Sequence, residues 1–148
     1  MTDRTVRLHR VLRTTPAKLY RAFTEAGAMC KWLPPHGFTA TMHHLDVRVG
    51  GTFRMSFHNF GSQHTHSFGG EYLELVPHER IRYTDRFEDP GLHGTLVVTV
   101  TLRPVVCGTE LSIEQAGIPE AIPLEMCHLG WQESLGQLAA LVEPDIPG

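Results

Sequence analysis

The chain has 148 residues, 41% hydrophobic and 20% charged, with thirteen basic against sixteen acidic side chains and a formal charge of −3. That balance lacks the basic excess that marks nucleic-acid binding or attachment to an anionic membrane. Three cysteines without CxxC spacing argue against a disulfide framework or zinc knuckle, and no apolar run approaches the ~18 residues of a membrane span. The expectation is one domain over residues 1–148 in a reducing, cytoplasmic setting, with no leader before Arg4.

Thr5 to Arg13 alternates as a strand. Thr15-Pro16 then opens a helix, with threonine as N-cap and proline at the first helical position, where its missing N–H costs nothing. Leu19, Ala22, Phe23 and Ala26 make its buried face, and Gly27 is the expected stop. A second short helix carries Met29, Trp32 and Leu33 and ends at Pro34-Pro35. From Phe38 to Val49 the apolar phase changes, from Phe38, Ala40 and Met42 to Leu45, Val47 and Val49, so a bulge is expected near His43-His44.

Turn signals at Gly61-Ser62, Pro77-His78, Asp89-Pro90-Gly91 and Cys107-Gly108 divide the next stretch into strands whose pairing can be written down. Phe57 falls opposite His66, Met55 opposite Phe68 and Phe53 opposite Gly70. Tyr72 then meets Tyr83, Gly70 meets Asp85 and Phe68 meets Phe87. Asp85 lies beside Leu96, Tyr83 beside Val98 and Val98 beside Gln115. One face gathers Phe53, Met55, Phe57, Phe68, Tyr83, Phe87, Val98, Val100, Leu111 and Ile113, while the other holds Arg54, Ser56, Thr84, Arg86, Thr99, Ser112 and Glu114. The agreement of face across five strands predicts an antiparallel meander with one wet and one buried side. From Ala121 to Glu143, Leu124, His128, Trp131, Leu135, Leu138 and Val142 recur at three- and four-residue spacing, the stripe of a long helix laid across that sheet.

The same register puts polar groups on the buried side: His64, His66, Tyr83, Asp85 and Gln115, with His128 arriving from the helix. A buried carboxylate needs a cation, a donor or water. Asp85 is therefore either a structural acid paired with His66 or an arginine, or one of a few polar groups in an apolar ligand cavity. His64-Thr65-His66 is a weak metal signal without HExxH or cysteine-rich spacing, and no metal or other cofactor is expected. No GxSxG, GxGxxG or GxxxxGK[ST] occurs, which leaves nucleophilic hydrolysis and nucleotide binding without their usual frames.

The order strand, two helices, six strands and long helix, together with Thr15-Pro16-Ala17-Lys18-Leu19-Tyr20-Arg21-Ala22-Phe23, Lys31-Trp32-Leu33-Pro34, Val49-Gly50-Gly51-Thr52-Phe53, Gly70-Glu71-Tyr72-Leu73-Glu74-Leu75 and Gly130-Trp131-Gln132-Glu133-Ser134-Leu135, resembles the Hsp90 ATPase activator homologue family. That family falls within the helix-grip (SRPBCC) superfamily of START and birch-pollen-allergen-like proteins. The resemblance implies an α+β helix-grip fold, a curved antiparallel sheet wrapped round the C-terminal helix, often with a hydrophobic cavity between them. Asp85 stands where relatives often carry an aromatic residue.

The reading that follows is a protein that holds a small apolar, aromatic or lipid-like molecule, as a monomer or homodimer. Phe53, Met55, Phe57, Phe68, Tyr83, Phe87, Val98 and Trp131 would form the wall, His66, Asp85, Gln115 and His128 would orient a polar end, and Trp32 would cover the mouth. The alternatives are an interaction module that contacts an Hsp90-like chaperone, and a cyclase- or hydrolase-like enzyme using Asp85 and a histidine as acid–base pair.

Overall fold

The computed structural model describes residues 4–148. The first strand, β1, spans Thr5–Leu12. Thr15 caps the helix that follows, α1 (Pro16–Thr24), by accepting a hydrogen bond from the Lys18 N–H at 3.2 Å, with Pro16 in the first turn. Gly27 is not its stop: Glu25 leaves helical geometry, ends α1 and starts α2 (Ala26–Trp32), so Gly27 lies inside the second helix. The Arg21 guanidinium holds the Glu25 carboxylate at 2.7 Å at this junction.

Six further strands follow: β2 (Phe38–Leu45), β3 (Thr52–Asn59), β4 (Thr65–Val76), β5 (Arg80–Phe87), β6 (Leu96–Val105) and β7 (Gly108–Ala116). With β1 they form one antiparallel sheet in the order β1-β7-β6-β5-β4-β3-β2. The expected pairs Phe57–His66, Met55–Phe68, Phe68–Phe87, Tyr72–Tyr83, Tyr83–Val98 and Val98–Gln115 are all formed. The bulge expected near His43-His44 lies between Met42 and His44.

Three local expectations fail for identifiable reasons. The second strand ends at Leu45, and Val47 and Val49 sit exposed in a turn closed by the Asp46–Arg48 ion pair. The β4–β5 ladder skips Gly70 and Asp85, and the Glu71 N–H instead donates to Thr84 Oγ1 at 2.9 Å. A side chain at Gly70 would meet the Thr84 carbonyl oxygen at 1.8 Å, so only glycine fits this approach. Ser56, on the face read as wet, is buried beneath His43 Nε2 at 2.7 Å and beside Ser67 Oγ at 2.6 Å.

The long helix α3 spans Leu124–Val142, three residues shorter at its start than the apolar stripe suggested. Pro123 is the N-cap, and the residue before a proline is disfavoured in helical geometry. Arg4 anchors this approach by donating to the carbonyls of Ile118, Pro119 and Ile122. Only the C-terminal half of α3 is packed solidly, through Ser134, Leu135, Leu138, Ala139 and Val142, against a core that includes Leu12, Leu19, Val98, Val100, Leu111 and Ile113. This is the helix-grip arrangement. No helix among the described residues is long and apolar enough to cross a membrane.

Candidate functional site

Because the N-terminal half of α3 is not packed solidly on the sheet, a cavity of about 230 Å³ lies between them. Strand alternation supplies one wall: Phe53, Met55 and Phe57 from β3, His66, Phe68 and Tyr72 from β4, Tyr83, Asp85 and Phe87 from β5, and Gln115 from β7. Helical spacing supplies the roof, Met126, Cys127, Gly130, Trp131 and Ser134, and Phe23, Met29, Leu33 and Pro35 close the remaining side. The rings brace one another edge to face, Phe57 on Phe68 at 4.8 Å and Phe53 on Tyr83 at 5.6 Å.

Four hydrogen bonds hold the roof in place. Trp131 Nε1–H donates to Gln115 Oε1 at 3.0 Å, which ties the helix to β7 across the cavity. Ser134 Oγ donates to the Leu33 carbonyl at 2.6 Å, and Gln137 donates to the carbonyls of Trp32 and Pro34. The segment between α2 and β2 is thereby pinned to α3.

Asp85 is the electrostatic anomaly of this cavity. Its side chain lines the cavity, and its Oδ1 is occluded with no hydrogen-bond partner among the described residues. Burial among aromatic rings raises its pKa from 3.8 to about 7, against an opposing pull from the Arg86 backbone N–H. Burial, and then the nearby Asp85 charge, pushes the Tyr83 phenol well above its ordinary range, and burial raises Tyr72 to about 12. Burial likewise raises the Cys127 thiol. Both phenols are therefore neutral near pH 7, while Asp85 is poised between its two forms.

The Activator of Hsp90 ATPase homolog 1-like protein family matches over residues 13–143. The chain belongs to this family. Its fold is shared with a solved Chromobacterium violaceum protein that is 60% identical, covering 96% of this chain and 99% of that one with a TM-score of 0.95. A Rhodobacter sphaeroides structure, 23% identical over 93% of this chain and 90% of its own, superposes with a TM-score of 0.82. A Nitrosomonas europaea structure, 22% identical over 93% and 92%, gives 0.78. No curated protein matches.

In this family member most of the residues expected in a pocket do converge on the cavity, but three of them do not, nor does His64, which was expected on the buried face. Trp32 is fully buried between α1 and the core, its Nε1–H donating to the Ala22 carbonyl at 2.7 Å and its ring edge on Phe23, so it covers no mouth. Val98 is wholly enclosed beneath the lining. His128 turns along the helix surface to Gln132 at 3.1 Å, because the roof is offset by one position and Cys127 takes the cavity side. His64 precedes β4 and is exposed at the hairpin, which removes the His64–His66 pair as a cavity feature. Among the described residues no group of three histidine, cysteine or acidic side chains could hold a metal ion.

Residues that sequence reasoning did not place in the lining are Phe23, Met29, Leu33, Pro35, Tyr72, Met126, Cys127, Gly130 and Ser134. Gly130 carried a readable signal, since glycine inside a helix is unfavourable without a local reason. A Cβ there would meet nothing within 4 Å, so the residue leaves the roof open to the cavity.

Proposed function

We propose that the protein binds a small, largely aromatic molecule in the cavity between the sheet and α3. The observation that carries this reading is a cavity of about 230 Å³ walled by aromatic rings, with a carboxylate in it whose Oδ1 has no partner among the described residues. An apolar cavity of ~150 Å³ accommodates benzene, so this one matches an occupant of about nine non-hydrogen atoms. That size favours a single substituted ring or a compact bicycle over a sterol or an acyl chain.

Trp131 lines the cavity and Trp32 does not, so Trp131 reports on occupancy. Titration of 2-phenylethanol should change the fluorescence saturably, and the change should vanish in Trp131→Phe. Native mass spectrometry of gently purified protein should in parallel reveal a small adduct that is absent from the denatured chain. A bare native mass, combined with no saturable response to aromatic probes of this size, would overturn the proposal. Those results would move weight to the competing reading, a chaperone-contacting module, which calls for a filled core and an exposed apolar patch.

A further inference from the structure

We propose that the occupant carries a positive charge: it is a small aromatic amine, held as its ammonium against Asp85 inside the ring of aromatic side chains. This assignment rests on the binding reading above and adds the chemical class of the ligand. Three features of the chain converge on it.

The first is the pattern of charge. Several surface carboxylates have basic partners, as in Glu88 with Arg54, Glu110 with Arg103, Glu74 with Arg80 and Glu25 with Arg21. Asp85 has none, and no lysine or arginine lines the cavity. Its strand neighbours Arg82 and Arg86 alternate to the opposite, exposed side. An acid left alone in apolar surroundings is costly to ionise, and a ligand cation is the partner that the fold itself omits.

The second feature is the wall. The faces of aromatic rings carry negative potential, so Phe53, Phe57, Phe68, Tyr83 and Trp131 favour an ammonium group in the same space and disfavour a carboxylate. The third is the space that the acid borders: Asp85 lines the cavity, and Gly130, where a side chain would meet nothing within 4 Å, keeps the helix side of it open. Hydroxyl donors could satisfy an oxygen of Asp85, but only a cation also neutralises its charge and gains from the rings.

The other titratable groups on the cavity are His66 and Tyr72 from β4, Tyr83 from β5 and Cys127 from α3; β3 and β7 contribute none. Both phenols and the thiol are held neutral by burial near pH 7, and His66 is exposed at the rim. Ionisation of Asp85 should make amine affinity rise between about pH 6 and 8, and comparison with Asp85→Asn separates that rise from any change at His66.

The test is calorimetric titration of three probes of nearly equal size, 2-phenylethylamine, 2-phenylethanol and phenylacetate, into the wild type and Asp85→Asn at pH 8. The amine should bind at least about tenfold more tightly than the alcohol, with phenylacetate weakest. In Asp85→Asn the amine should lose that advantage over the alcohol. A cooperative urea transition like that of the wild type shows that the variant is folded. Equal binding of amine and alcohol by the wild type, preference for phenylacetate, or an amine preference that survives in Asp85→Asn would each overturn the charge assignment alone. If none of the three probes binds, the binding reading falls together with it.

Discussion

Replacing Asp85 by asparagine keeps the shape of the side chain and removes its ionisation, so the pH dependence of stability isolates the cost of burying this charge. The carboxyl rises from 3.8 to about 7 on folding because the ionised form is desolvated. The folded state therefore holds its proton over a pH range in which the unfolded chain has lost it. The stability associated with the neutral acid is fully present below about pH 4 and is lost as the pH rises through about 7. At ~1.36 kcal/mol per pH unit the full loss is about 4 kcal/mol, of which roughly 3 kcal/mol falls between pH 5 and 8. That is a large share of a typical domain stability of about 5–15 kcal/mol. Urea unfolding of the wild type and Asp85→Asn at pH 5, 6, 7 and 8 measures it, with all other titrating groups common to both proteins. The asparagine variant should gain on the wild type by roughly 3 kcal/mol across this range. Profiles that stay parallel within about 0.5 kcal/mol would refute the argument, because Asp85 would then be no more desolvated than a surface carboxylate.

Other consequences follow from the same geometry. Gly130→Ala should raise stability by about 1 kcal/mol and the Tm by about 2–4 °C, since Gly130 is helical and the new methyl meets open space; Gly130→Leu should remain folded by circular dichroism yet lose binding of 2-phenylethanol. Thr15→Ala should cost about 1 kcal/mol in urea unfolding through loss of the cap to the Lys18 N–H. Leu138→Ala, in the solidly packed half of α3, should cost about 2–5 kcal/mol. His128→Ala should change stability by less than about 0.5 kcal/mol and leave probe binding unaltered, since the imidazole contacts Gln132 outside the cavity.

Strand alternation carried most of what could be read from the chain itself. A side chain in a strand has only two faces to choose from, so Phe53, Met55, Phe57, Tyr83 and Phe87 were placed together once the turns were found. Asp85 came with them, because it shares its phase with Tyr83 and Phe87. The family resemblance added the helix-grip arrangement, which no periodicity specifies.

The helix side of the cavity was harder to read, since a helix offers a continuum of directions and a stripe does not say which neighbours fill the space it faces. Cys127 in place of His128, Trp32 inside the core and the extra lining from Phe23, Met29 and Leu33 all depend on how α1, α2 and α3 settle against one another. By itself the sequence determined the strands, most of their register and the presence of an acid among aromatic residues. Only the tertiary structure decided that this acid faces open space: a cavity is the gap left where α3 packs solidly from Ser134 onward but not before it, and that gap is set by contacts far apart in the chain.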